Sequence, residues 1–280
     1  MVESVKYIKS YDGEILYAEA RRNSKKIKYN FVILHGLGGD ANSTLLLTNN
    51  ILKNIPDSQC ITYDLRGHGF SSNVFPSSAE TIEDNGAKDL KSVCDYFLIK
   101  KPIIICHSIG GIFIQRYLEK EIKPEPLYTF LFCSPLTTYP FSISRHVWFY
   151  SYKKISKFLR NKKRRSLEEH LKYKNSVDID IYRILNDVKY TGLVNLTFNY
   201  LSLFGWKNKS LKSIDKENVF FVCGINDTIL PQKKQLKLLN NLNKIKIKSF
   251  NSNHHQIYIN NYIKITNLIK KIVVDKDIPS

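Results

Sequence analysis

Short apolar runs alternate along the chain with stretches whose apolar residues recur at helical spacing. "YNFVILHG" (29–36), "QCITYDLRG" (59–67), "KPIIICHS" (101–108), "LYTFLFCSP" (127–135) and "NVFFVCG" (218–224) are apolar almost without interruption. That is how strands buried on both faces read, and it predicts a mainly parallel sheet. "KIKIKSF" (244–250) adds a last strand, and residues 4–20 read as a hairpin turning at Asp12-Gly13. Between the strands the pattern predicts helices near 42–54, 81–98, 110–122, 231–243 and 257–274. In the second of these, Leu90, Val93, Cys94 and Phe97 share one face; the third stops before Pro124. Strands alternating with helices in this way indicate an α/β fold.

The rhythm breaks once. From 136 to 213 the pattern is irregular and mostly helical, too long for a plain loop. The simplest parse is an α/β core formed by 1–135 and 214–280, carrying a helical cap inserted at 136–213. A chain of 280 residues with 43% hydrophobic and 12% aromatic residues can bury such a core, which excludes a wholly disordered chain.

Composition changes the picture little. The runs are broken by Lys or Asn before they could span a bilayer, and "MVESVKYIKSYDGE" lacks the apolar block of a signal peptide. A cytoplasmic protein is expected. The five cysteines are odd in number and widely spaced, and four sit in strand-like runs, so they read as buried thiols. No Cys or His pair has zinc-ligand spacing, so no metal is expected. The net charge of +18 comes from 43 Lys and Arg against 25 Asp and Glu. Without a zinc finger, an RNA-binding aromatic motif or a basic zipper, it describes a solvated surface, and no nucleic-acid partner is expected. The cap is more specific: no acidic residue lies between Glu125 and Glu168, yet nine Lys or Arg do, including "NKKRRS" (161–166). Aromatics and Lys mix in "HVWFYSYKKISKFL" (146–159). Such a cap either covers the site with its aromatics or makes peripheral contact with an anionic membrane surface.

Candidate chemistry centres on "CHSIGG" (106–111), where a strand ends and a helix begins. A Ser on such a turn is exposed to substrate, and the following helix points its N-terminus at the reacting centre. The segment resembles the nucleophile elbow of the α/β-hydrolase family, small-x-nucleophile-x-small, with Cys106 in the first small position, Ser108 as nucleophile and Gly110 in the last. Four further segments fit the family's order: "LHGLGG" (34–39), "YDLRGHGFSS" (63–72), "CGINDTILP" (223–231) and "NSNHHQIYI" (251–259). The resemblance implies an α/β-hydrolase fold, a mostly parallel sheet flanked by helices with a helical cap. It implies a triad of Ser108, Asp227 and His255, with His254 as the alternative base; His255 is favoured because His-Gln-Ile resembles the family's His-Glu-hydrophobic continuation. It further implies an oxyanion hole from the N–H groups of Leu37 and Ile109, with His35, Gly36 and Gly110 supporting the loops. No cofactor is implied.

Cys106 is expected to be a structural thiol, His107 a packing residue, and His35 and His68 loop-stabilising groups. The expected activity is carboxylic ester hydrolysis by a serine hydrolase through an acyl-enzyme, on lipid-like substrates of the monoacylglycerol or lysophospholipid type with an acyl chain. Thioester or carbon–carbon bond hydrolysis, or a weakly catalytic small-molecule-binding module, are the alternatives.

Overall fold

Uninterrupted apolar runs become strands because each has a helical layer to bury it on either side. The computed structural model of the protein describes residues 2–72, 81–136, 163–202, 206 and 211–275. Strands β1 (Val2–Lys9) and β2 (Ile15–Arg22) form an antiparallel hairpin. β3 (Tyr29–Leu34), β4 (Ser58–Tyr63), β5 (Pro102–His107), β6 (Tyr128–Phe132), β7 (Val219–Gly224) and β8 (Lys246–Phe250) are mutually parallel. The eight strands form one sheet in the order β1-β2-β4-β3-β5-β6-β7-β8, and only β2 runs against its neighbours. The α/β class and the mainly parallel sheet expected from the pattern are therefore present.

Alternation along each strand divides the core in two. Ile33, Ile105, Phe130 and Phe220 stand in register across four strands on one face. They pack with Leu47 and Ile51 of α1 (Leu45–Asn54). Ile265 and Ile269 of the C-terminal helix join the same layer. On the other face, Val32, Ile104, Cys106 and Leu131 pack against α2 (Ile82–Tyr96) and α3 (Ile109–Glu119). Each fully buried side chain of this size contributes about 1.5–3 kcal/mol. Cys106, a smaller side chain that contributes less, lies in the same layer with no exposure and its thiol directed to the carbonyl of Phe130 at 3.3 Å.

Between β6 and β7 the described residues carry three helices, α4 (Leu167–Leu171), α5 (Ile181–Thr191) and α6 (Leu193–Ser202). The aromatic segment 146–159 lies outside the described residues. After β7 come α7 (Gln232–Leu239), α8 (Ile257–Asn260) and α9 (Tyr262–Val273). The single helix expected over 257–274 is thus two, divided at Asn261, whose φ of −120° and ψ of 11° leave the helical region. Among the described residues no helix is long and apolar enough to cross a membrane.

Candidate active site

Strand order reverses between β3 and β5: the chain builds β4 on one side of β3, then returns to lay β5 on the other. In open parallel sheets the crevice at such a point, beyond the carboxyl ends of the strands, is where ligands bind. Here it is flanked by the loop after Leu34 and by Ser108, which joins β5 to α3. Ser108 has φ 50° and ψ −116°, a conformation costing a non-glycine residue about 1–3 kcal/mol. The strain is held by the surroundings. Its N–H donates to Phe132 O at 3.0 Å, and its carbonyl accepts from Gly111 N at 2.9 Å. Gly110 lets α3 approach the sheet, since a Cβ there would stand 2.9 Å from Leu34 Cβ and 3.0 Å from His35 O.

Asp227 follows β7 and His254 follows β8, both at the same edge of the sheet. His254 Nε2 lies 2.9 Å from Ser108 Oγ, and its Nδ1 lies 2.8 Å from Asp227 Oδ2. With Nδ1–H donating to the carboxylate, Nε2 is left to accept the Ser hydroxyl proton. The second carboxylate oxygen accepts from Leu230 N at 2.7 Å. Both Asp227 and His254 are buried, and Ser108 is partly open to solvent.

The structure thus brings His254, the alternative, and not the favoured His255 into contact with Ser108 and Asp227. Two remote groups turn the loop this way. His107 Nε2–H donates to the carbonyl of His254 at 2.8 Å, and Asp178 Oδ1 accepts the N–H of His254 at 2.7 Å. With that peptide held on both sides, the next side chain leaves in another direction. His255 places its ring edge-on to His254 at 5.0 Å, lines the cleft, and its Nε2 has no hydrogen-bond partner among the described residues. Burial, then the neighbouring His254, holds His255 well below the ordinary imidazole range. His107, adjacent in sequence to Ser108, braces the base; burial and the nearby His254 push it down to about 3, so it stays neutral.

The loop expected to supply Leu37 to the oxyanion hole lies against the elbow: a Cβ on Gly36 would stand 3.3 Å from Ser108 Cβ and 2.5 Å from His107 Nδ1. Two neutral histidines bracket it. His35 Nδ1–H donates to Gly36 O at 2.8 Å while its Nε2 accepts from Leu65 N at 3.0 Å. His68 Nδ1–H donates to Arg66 O at 3.0 Å, and its Nε2 accepts from Gly38 N at 3.1 Å. Burial foremost holds them at about 3 and about 4 respectively. The backbone N–H groups of Leu37 and Ile109 make no hydrogen bond among the described residues, and Ile109 opens α3.

The cap adds further residues beside the site: Arg164 and Arg165 from the basic run, and His170, Arg183 and Asp187, which no sequence motif marked. Arg165 donates to Gly38 O and pairs with Asp187 at 2.8 Å, which Arg183 meets from the other side at 2.8 Å. His170 Nε2 lies 3.0 Å from Asp40. Arg164 pairs with Glu19 and stands 3.4 Å from Asp64. Two arginines of the cap's basic run are thus folded inward, because buried carboxylates lie opposite them. Between cap and loop lies a cavity of about 70 Å³, lined by Leu37, His170, Tyr173, Arg183, His255 and Tyr258 among others. Cys133, Asp227 and His254 place donor atoms within 4.8 Å of one another. Two of the three are committed to each other, and burial, then the charge of Asp227, pushes the Cys133 thiol well up.

A family model described as the alpha/beta hydrolase fold matches residues 29–261. No curated protein matches the chain. Several solved structures are similar in fold. An esterase from Exiguobacterium antarcticum is 17% identical, with a TM-score of 0.67 over 96% of this chain and 99% of that one. A carboxylesterase from Nitrososphaera gargenis is 16% identical, with a TM-score of 0.66 over 98% and 100%. An epoxide hydrolase from Vigna radiata is 14% identical, with a TM-score of 0.64 over 98% of each chain.

Proposed function

Since this chain belongs to the α/β-hydrolase fold family, we propose that it is a serine hydrolase acting on carboxylic esters through an acyl-enzyme. The observation that carries the reading is the unbroken relay from Ser108 through His254 to Asp227, at 2.9 and 2.8 Å, with Ser108 on a strained turn. A Ser at the elbow also disfavours the epoxide and haloalkane branches of the family, which the resemblance implies use Asp there.

The mechanism follows from the parts. His254 takes the Ser108 proton as Oγ attacks the ester carbonyl. Negative charge develops on the carbonyl oxygen beside the N–H groups of Leu37 and Ile109; each such donor is worth about 10²–10³ in kcat. Asp227 keeps Nδ1 protonated and stabilises the imidazolium. His254 then protonates the leaving alcohol, and water repeats the sequence to release the acid. No cofactor enters.

For substrate, we propose lipid-like esters of the monoacylglycerol or lysophospholipid type. Arg183, His170 and Tyr173 along the cavity suit a polar head group. Val177, Ile179, Ile181 and Tyr182 are exposed on the cap, between 67% and 74%, which supports docking of this face on a bilayer. Vesicle binding that needs anionic lipid and weakens with salt is the expected result; no binding at low salt removes the membrane contact.

The function is tested by a fluorophosphonate probe and p-nitrophenyl esters of increasing chain length. The probe should label the wild type and not Ser108→Ala, and His254→Ala should abolish turnover while His255→Ala keeps it. Labelling that persists in Ser108→Ala sinks the reading. A probe-reactive protein that cleaves no ester of any length would instead favour a narrow-specificity or binding role.

A further inference from the structure

Asp178 lies between α4 and α5, in the cap, and is 3% exposed. One oxygen accepts from Thr228 N at 2.8 Å and Thr228 Oγ1 at 3.0 Å. The other accepts from His254 N at 2.7 Å, with His255 N at 3.4 Å. Thr228 directly follows Asp227. A single buried carboxylate from the cap therefore holds the backbones of the acid loop and the base loop together. We infer that Asp178 is a positioning residue for the general base, and that the catalytic geometry is complete only while this part of the cap is docked.

The surroundings support a dedicated attachment. Asn253 Nδ2 donates to Ser176 O at 2.9 Å, and Gln256 Nε2 donates to Tyr173 O at 2.8 Å and to Ser176 O, so the base loop grips segment 173–178 on both sides of His254. Arg183 fixes Asp178 from behind, donating to its carbonyl at 2.8 Å while pairing with Asp187. A buried carboxylate needs its hydrogen bonds satisfied to be tolerated at all, and this one finds its donors on the two loops that carry chemistry. His254 is thus oriented on its ring by Asp227 and on its backbone by Asp178 and His107.

The inference rests on Ser108, His254 and Asp227 being the catalytic relay, and the experiment separates the two. In the full chain, Asp178→Asn keeps the size but turns one accepting oxygen into a donor, facing either Thr228 or the N–H of His254. The readouts are kcat and KM for p-nitrophenyl acetate, the rate of Ser108 labelling by a fluorophosphonate, and the thermal midpoint. Displacing a catalytic group by about 1 Å can lower turnover on the order of 100-fold, so kcat and labelling rate should fall by about 10- to 100-fold with KM within about threefold. A loosened cap without a positioning role would instead raise KM, because cap residues line the cavity.

Either kcat within about threefold of wild type, or a loss confined to KM, overturns the inference. Should Asp178→Asn fail to fold, Thr228→Val removes one donor and reads the same split, with kcat about fivefold down; an unchanged kcat overturns it equally. A wild type that no fluorophosphonate labels would instead defeat the serine-hydrolase reading itself.

Discussion

His68 is fully buried, and both ring nitrogens are committed: Nδ1–H to Arg66 O, and Nε2, as acceptor, to Gly38 N beside the oxyanion loop. Its pKa falls from 6.5 to about 4, first because burial penalises the charged ring. A depressed folded pKa means the stability is present above the unfolded value and is lost as pH falls towards the folded one. Between pH 6.5 and about 4, then, the unfolded chain takes up a proton that the folded chain refuses. At 1.36 kcal/mol per unit, taking the protein from about pH 7.5 to about pH 5 removes about 2 kcal/mol through His68 alone. His35 and His107, both held at about 3, act in the same direction. Asp64, raised by burial, acts in the opposite one. The test must therefore isolate one ring. Urea unfolding of wild type and His68→Asn, each at both pH values, cancels every other titrating group. The wild type should lose about 2 kcal/mol more than the variant over that interval. Equal losses would refute the claim that His68 is buried neutral.

Further outcomes follow from the same geometry. Asp227→Asn should fold normally yet lower kcat by about 10⁴, because the imidazole is no longer held with Nδ1 protonated; esterase kinetics beside a thermal melt check this. Gly36→Ala drives a Cβ to 2.5 Å from His107 Nδ1 and against Ser108, so it should lower activity sharply and destabilise by about 1–3 kcal/mol in urea. Cys106→Ala should keep its activity and lose only about 1 kcal/mol, because the thiol serves packing; loss of activity in a stably folded variant would reopen its role.

The strands were legible because every one of β3 to β7 is buried on both faces, which writes an apolar run into the sequence whatever the neighbours are. Ser108 was legible for a related reason, since a strand, a tight turn and a helix leave a local record around it. The choice between His254 and His255 had no such record. Adjacent residues in a loop present their side chains to different sides, and which side meets Ser108 depends on how the intervening peptide is held. Here it is held by His107, 147 positions away, and by Asp178, 76 positions away. A resemblance in the residues that follow could not carry that information.

The same asymmetry divides the site by what holds it. The elbow and the oxyanion loop are fixed from within the core, by Phe132 O, Gly110 packing, His35 and His68, and these are sequence neighbours of the motifs they serve or partners across the sheet. The base loop is fixed from the cap, by Asp178 and by the grip of Asn253 and Gln256 on Ser176 and Tyr173. Arg165 and His170, from the same cap segment, also hold Gly38 O and Asp40 beside the oxyanion loop. A perturbation that detaches this segment should therefore reach both the base and the oxyanion loop, while Ser108 keeps the geometry that the strands impose on it. In the proposed mechanism, the described part of the insertion, residues 163–202, therefore contributes structurally to the base loop and to the loop after β3.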